Sequence, residues 1–109
     1  MAATHCVTML LSAGDHIVAG ADIYGGTYRL IARVFGPWGV EHTPVDLTDV
    51  EAVRAAVRPE TRVVWVETPT NPLLKIIDLA AVAEFAHAKK ITSICDNTFA
   101  TPFFQRPLE

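Results

Sequence analysis

The sequence predicts an α/β fold, a mainly parallel sheet with helices on both faces in three layers. Two observations carry the prediction. Short apolar runs at residues 16–20, 40–45, 63–66 and 91–95 alternate with stretches of helical period, and short connections join them, which is the pattern of repeated βαβ units. The third run, Val63-Val64-Trp65-Val66, is apolar and largely β-branched without alternation, as strands covered on both faces are. With 109 residues, half of them hydrophobic, the chain can bury one modest core as a single domain. No internal repeat, low-complexity segment or linker divides it.

The elements follow in order. Residues 1–11 are helical in character, apolar on every side and without an N-cap, so this helix is expected inside a larger protein. Ser12-Ala13-Gly14-Asp15 stops it, with Gly14 suited to the left-handed C-terminal position. The strand at 16–20 leads into the glycine-bearing loop Asp22-Ile23-Tyr24-Gly25-Gly26. A helix from Thr27 places Thr27, Leu30, Ile31 and Val34 on one face and is expected to end at Gly36-Pro37. After the strand at 40–45, Thr48-Asp49-Val50-Glu51 has the form of a capping box, with Thr48 serving the amide of Glu51. The helix it opens carries Val50, Val53 and Val57 on one side and closes at Pro59. The strand at 63–66 leaves through Glu67-Thr68-Pro69-Thr70-Asn71-Pro72, a polar loop stiffened by proline. Asp78 caps the last helix, whose expected buried face is Leu79, Val82, Ala83 and Ala86, and Lys89-Lys90 complement its C-terminal dipole. A short buried strand, residues 91–95, then ends on Asp96.

Composition excludes several classes of function. A formal charge of −3 with no basic stripe argues against nucleic acid as a partner. No apolar run approaches membrane-spanning length, and no signal-peptide pattern opens the chain. Cys6 and Cys95 both lie in apolar surroundings and are read as reduced core residues of a cytoplasmic protein.

In a parallel sheet all carboxyl ends open on one rim, where such folds bind ligands. That rim collects Tyr24, Glu67, Asn71, Asp96 and Thr98. A carboxylate at a buried strand end calls for a cationic or hydrogen-bonding partner, although an Asp there also serves as a simple turn cap. Tyr24 has an alternative reading as a half-buried loop tyrosine and Asn71 as a turn residue before Pro72, and Asn97 is read as structural. Known cradles are missing: there is no G-x-G-x-x-G, no P-loop and no nucleophile elbow. His5, His16, His42 and His87 are scattered without metal-ligand spacing, so no metal site is expected.

Three motifs in sequence carry a resemblance that spans essentially the whole chain. Asp22-Ile23-Tyr24-Gly25-Gly26-Thr27-Tyr28-Arg29, Glu67-Thr68-Pro69-Thr70-Asn71-Pro72, and Asp96-Asn97-Thr98-Phe99-Ala100-Thr101-Pro102 with Gln105-Arg106-Pro107-Leu108 resemble the cystathionine γ-lyase, γ-synthase and β-lyase family of pyridoxal-phosphate enzymes in cysteine and methionine metabolism. The resemblance implies the three-layer, aspartate-aminotransferase-like large domain, with residues 1–109 as its central part. It implies pyridoxal 5'-phosphate as cofactor. Asp96 matches the carboxylate that keeps the ring nitrogen protonated, Tyr24 the tyrosine that stacks on the ring near the leaving group, and Thr98 a residue supporting Asp96 or the cofactor. Asn71 resembles the asparagine near the cofactor 3-hydroxyl and the substrate carboxylate. Met1 corresponds to the methionine of a Gly-Met pair whose amides hold the phosphate at a helix N-terminus.

The same resemblance places the Schiff-base lysine and the carboxylate-clamping arginine outside this chain. Lys75, Lys89 and Lys90, its lysines, stand in other contexts. The chain is therefore expected to be an internal piece, inactive by itself, of an enzyme that eliminates the γ-substituent of cystathionine or a related amino acid. γ-Replacement, as in a synthase, and β-elimination are the alternatives within the family, and a non-catalytic α/β binding or scaffold domain is the alternative from another class. The family resemblance further implies a homotetramer of paired dimers.

Overall fold

A computed structural model describes residues 1–109. Its centre is a four-stranded, wholly parallel sheet of β1 (His16–Gly20), β2 (Glu41–Val45), β3 (Thr61–Glu67) and β4 (Thr92–Asp96), in the spatial order β2-β1-β3-β4. Helices α1 (Ala2–Thr8), α2 (Gly25–Arg29), α3 (Val50–Ala56), α4 (Leu79–Ala88) and α5 (Thr101–Phe104) accompany it. The α/β class with a mainly parallel sheet stands as the sequence predicts.

The two central strands divide the core by their pleat. Val18, Val64 and Val66 point to one side and join Val53 of α3 with Val82, Phe85 and Ala86 of α4. Ile17, Ala19, Val63 and Trp65 point to the other side and join Ile31, Phe35 and Val40. Side chains such as Ile17, Val18 and Val64 are fully buried, each worth roughly 1.5–3 kcal/mol against exposure.

Several boundaries differ from the sequence expectation. The opening helix ends at Thr8 rather than Leu11, and it buries only Thr4 and Thr8. The Thr8 hydroxyl donates to the carbonyls of Thr4 (3.1 Å) and His5 (2.9 Å) of its own helix, and Val7, with Leu11 beyond the helix, packs partly buried against the core. Gly14 is left-handed (φ +92°) but in the turn before β1, well past that helix end. The helix beginning at Gly25 does not stop at Gly36-Pro37. It widens into a π-helical turn (Leu30–Phe35), tightens to a 3-10 turn (Gly36–Trp38) and ends at left-handed Gly39. The wide turn explains why its buried side chains, Thr27, Ile31 and Phe35 (Gly26 being buried beside them), recur every fourth position while Val34 is exposed. On α4 the buried face uses Phe85 where Ala83 was expected.

The capping box is also replaced. Asp49 is the N-cap of α3, accepting from the amides of Glu51 (2.9 Å) and Ala52 (3.3 Å), while the Thr48 hydroxyl donates to Asp46. Val57 lies beyond the helix in extended conformation. Finally, β4 is a sheet edge, paired only with β3, so Thr92 and Ser93 are exposed and Asp96 is half-buried rather than at the end of a buried strand. The other edge is β2, where Pro44 is tolerated because it need not donate to a second neighbour. No helix is long and apolar enough to cross a membrane.

Candidate functional site

At the carboxyl edge of the sheet lies a cleft of about 580 Å³. Its floor is Trp65 and Glu67 of β3 with Ile94, Cys95 and Asp96 of β4. One wall is the first helix, through Met1, Thr4 and Val7, and another is the loop of Tyr24 with Thr27. Asn71 and the residues 97–99 close the rim. The five residues that the resemblance assigns to the cofactor (Met1, Tyr24, Asn71, Asp96 and Thr98) thus line one hollow, with Glu67 among them.

Asp96 is held by the turn it begins. Its Oδ1 accepts from the amide (3.1 Å) and the hydroxyl (2.5 Å) of Thr98, so the turn-capping role is real. It occupies one oxygen only. The second, Oδ2, accepts no hydrogen bond from the protein, and no ion pair of the chain engages Asp96. Asn97 instead faces Gln105: its Nδ2 donates to the Gln105 carbonyl (2.8 Å) and its Oδ1 accepts from Gln105 Nε2 (2.7 Å). That pair fastens the segment after the strand.

Tyr24 is the N-cap residue of α2 and remains 44% exposed. Its ring lies close over Gly26: a Cβ placed on Gly26 would sit 2.3 Å from the ring and 3.0 Å from the Met1 sulfur. The glycine is what allows the ring, the first helix and the loop to meet. Asp22 ties the same loop to the Asn71 segment, accepting from the Thr70 hydroxyl and, at 3.2 Å, from the Leu73 amide.

Glu67 stands beside Asp96, paired with it in the β3–β4 register, and is only 5% exposed. Its Oε2 accepts from the Tyr24 amide at 2.8 Å. Burial pushes its carboxyl above the ordinary range and the charges of Asp96 and Asp22 push the same way, while hydrogen bonds from the Tyr24 and Asn71 amides oppose them. Burial, and then the Asp96 charge, likewise raise the Cys95 thiol. From sequence Glu67 could be placed on the rim, but its bond to a residue 43 positions away could not. Thr27 Oγ1 and Trp65 Nε1 are buried without a hydrogen-bond partner, and both residues line the cleft. Trp65 reads from sequence as core alone, and its indole N–H was the available signal for more.

Comparison with known proteins gives a single direction. A cystathionine gamma-synthase of Mycobacterium tuberculosis is 53% identical over 109 residues, which are 99% of this chain and 28% of that protein. A cystathionine beta-lyase of Coxiella burnetii is 52% identical over 110 residues, covering all of this chain and 28% of the relative. The crystal structure of cystathionine gamma-lyase from Lactobacillus plantarum, complexed with L-serine, matches with a TM-score of 0.96 at 53% identity, over 98% of this chain and 28% of that one. The chain thus spans little more than a quarter of the length of these relatives. A family model described as Cys/Met metabolism PLP-dependent enzyme matches residues 1–109, the whole chain, and with that match the chain belongs to this pyridoxal-phosphate-dependent family.

Proposed function

We propose that residues 1–109 are the central part of a cofactor-binding large domain, and that the whole protein uses pyridoxal phosphate to eliminate the γ-substituent of cystathionine or a related amino acid. The observation that carries the reading is the convergence of Met1, Tyr24, Asn71, Asp96 and Thr98 on one cleft, with one oxygen of Asp96 free of any protein partner. The donor set fits the cofactor. A carboxylate with one oxygen fixed and one free suits a protonated ring nitrogen, the missing side chain of Gly26 lets the Tyr24 ring approach the loop, and the first turn of α1 offers amides without a side-chain cap to a phosphate.

Bound pyridoxal phosphate supplies an electron sink for carbanion density at the substrate α-carbon. The chain's own residues would prepare it. Asp96 would hold a proton on the ring nitrogen by charge, with Thr98 keeping the carboxylate aimed through its two bonds. Tyr24 would stack on the ring and stand near the leaving group, the one catalytic role proposed within this chain. Asn71 would orient the 3-hydroxyl and the substrate carboxylate, and Met1 would lie against the phosphate. No lysine lines the cleft, so the lysine that bonds the cofactor and shuttles protons is proposed to come from the rest of the protein. A homotetramer and a cytoplasmic setting belong to the same proposal. The exposed Leu73, Leu74, Ile76, Phe103 and Phe104 support burial against further protein, and the free cysteines Cys6 and Cys95 suit a reducing compartment.

The test is to load the purified whole protein with pyridoxal phosphate and supply cystathionine and water. γ-Elimination releases cysteine, 2-oxobutanoate and ammonia. β-Elimination releases homocysteine, pyruvate and ammonia, and would move the assignment to the β-lyase alternative. Formation of cystathionine from cysteine and an activated homoserine ester, without lyase turnover, would move it to a synthase. A protein that takes up no pyridoxal phosphate is the scaffold alternative.

A further inference from the structure

We infer that Glu67 is a positioning residue of the cofactor cleft, setting the place of the Tyr24 ring through the hydrogen bond its carboxylate accepts from the Tyr24 amide. The inference rests on the cofactor reading above but concerns a residue to which that reading gives no role. Three observations carry it. The bond is short, 2.8 Å, and joins the end of β3 to the N-cap of α2 across the cleft. Glu67 is 5% exposed, so the bond is partly buried although Tyr24 itself stays 44% exposed. And the Tyr24 amide has no helical partner to fall back on, because an N-cap amide lies outside the helix ladder.

The placement it secures is tight. The Tyr24 ring sits where a Gly26 methyl would collide and Met1 closes the far side, so a shift of the Tyr24 backbone moves the ring directly. Burying a second carboxylate next to Asp96 and near Asp22 is unfavourable in itself. A glutamate in that place needs compensating contacts, and the Tyr24 amide is the stronger of the two it has, ahead of the Asn71 amide. Reach rather than charge is the property at issue. Gln keeps an acceptor at the same distance from the chain, whereas Asp keeps the charge but withdraws the oxygens by about 1.5 Å, one carbon–carbon bond.

The experiment uses the whole protein, stripped of cofactor and titrated with pyridoxal phosphate, following the visible absorbance and circular dichroism of the bound ring. Glu67→Asp is expected to weaken cofactor binding roughly tenfold, the equivalent of one lost buried hydrogen bond of about 1.4 kcal/mol, and to reduce the dichroism of the bound cofactor. Glu67→Gln is expected to restore most of both. In a Tyr24→Ala background, where the amide remains but the ring is gone, Glu67→Asp is expected to change binding less than twofold, because the coupling runs through the ring. Gln as damaging as Asp, or an undiminished Asp effect without the ring, overturns the inference and leaves the cofactor reading standing. A wild-type protein that binds no pyridoxal phosphate overturns that reading itself.

Discussion

Two carboxylates meet at adjacent strand ends, and what separates them is how each is held. Asp96, a lining residue of the cleft, spends one oxygen on Thr98 and leaves the other without a protein partner, while Glu67 is buried and bound to the Tyr24 amide. A cofactor cation is therefore expected at Asp96. Asp96→Asn retains an acceptor for Thr98 but removes the charge, and several kcal/mol of lost carbanion stabilisation corresponds to a turnover roughly a hundredfold lower or worse. Melting of the loaded protein should shift far less, since an unpaired carboxylate there is itself unfavourable. Near-normal turnover beside a collapsed melting temperature would reduce Asp96 to a turn cap. Gly26→Ala is expected to separate function from stability in the same direction, with cofactor affinity as the readout. In helical backbone Ala is favoured over Gly by up to about 1 kcal/mol, so stability should hold or rise slightly. The new methyl would nevertheless displace the Tyr24 ring it meets at 2.3 Å, and cofactor affinity is expected to drop at least fivefold in an absorbance titration. Unchanged affinity would show that the ring position does not matter.

At the scale of elements, what the sequence made legible was period and punctuation. The strand cores at residues 16–20 and 63–66 are long enough in β-branched residues to be unmistakable, and the structure extends the latter to Thr61–Glu67. The helix after Gly25 was harder, because a π-helical turn shifts the buried set to every fourth residue and a periodicity of 3.6 then points Val34 inward wrongly. The start of α3 illustrates a local competition. Thr48 and Asp49 are both good caps, and it is Asp49 that takes the position, while the Thr48 side chain turns to Asp46 and donates to it at 2.7 Å. Asp49→Ala is accordingly expected to destabilise the protein by about 1 kcal/mol in denaturant melts, and Thr48→Ala by clearly less. Equal losses at the two positions would favour the capping box after all.

For the whole molecule, the sequence order of strands says nothing about which become edges. That β4 lies outermost, leaving Asp96 half-exposed, follows only from the arrangement β2-β1-β3-β4. The candidate cleft was legible because its residues sit at strand ends, and parallel strands bring their ends together whatever their order. At the opposite end of the sheet, the same order buries His16. Its Nδ1 and Nε2 lie 2.7 Å from Thr61 Oγ1 and 2.9 Å from Thr43 Oγ1, linking the central strand to both neighbours.

Burial disfavours the protonated His16 ring, and the nearby Arg58 charge adds to this. Glu41 and Glu60 pull the other way and His42 slightly reinforces the first, leaving the pKa below the ordinary value of 6.5. The consequence for stability has a definite sign. Above about pH 6.5 the ring is neutral folded or unfolded, and its contribution is fully present. As pH falls below that value the unfolded chain takes up a proton that the folded one refuses, so stability is lost until the folded ring also titrates. One group changes stability by at most about 1.4 kcal/mol per pH unit, and other groups add their own slopes. The informative quantity is therefore a difference. Denaturant melts between pH 7.5 and 5 should show a steeper loss in the wild-type protein than in His16→Gln, which keeps a polar bridge without a titrating ring. Parallel losses in the two proteins would mean that His16 is protonated as readily inside the sheet as outside it, and that burial beside Arg58 does not hold it neutral.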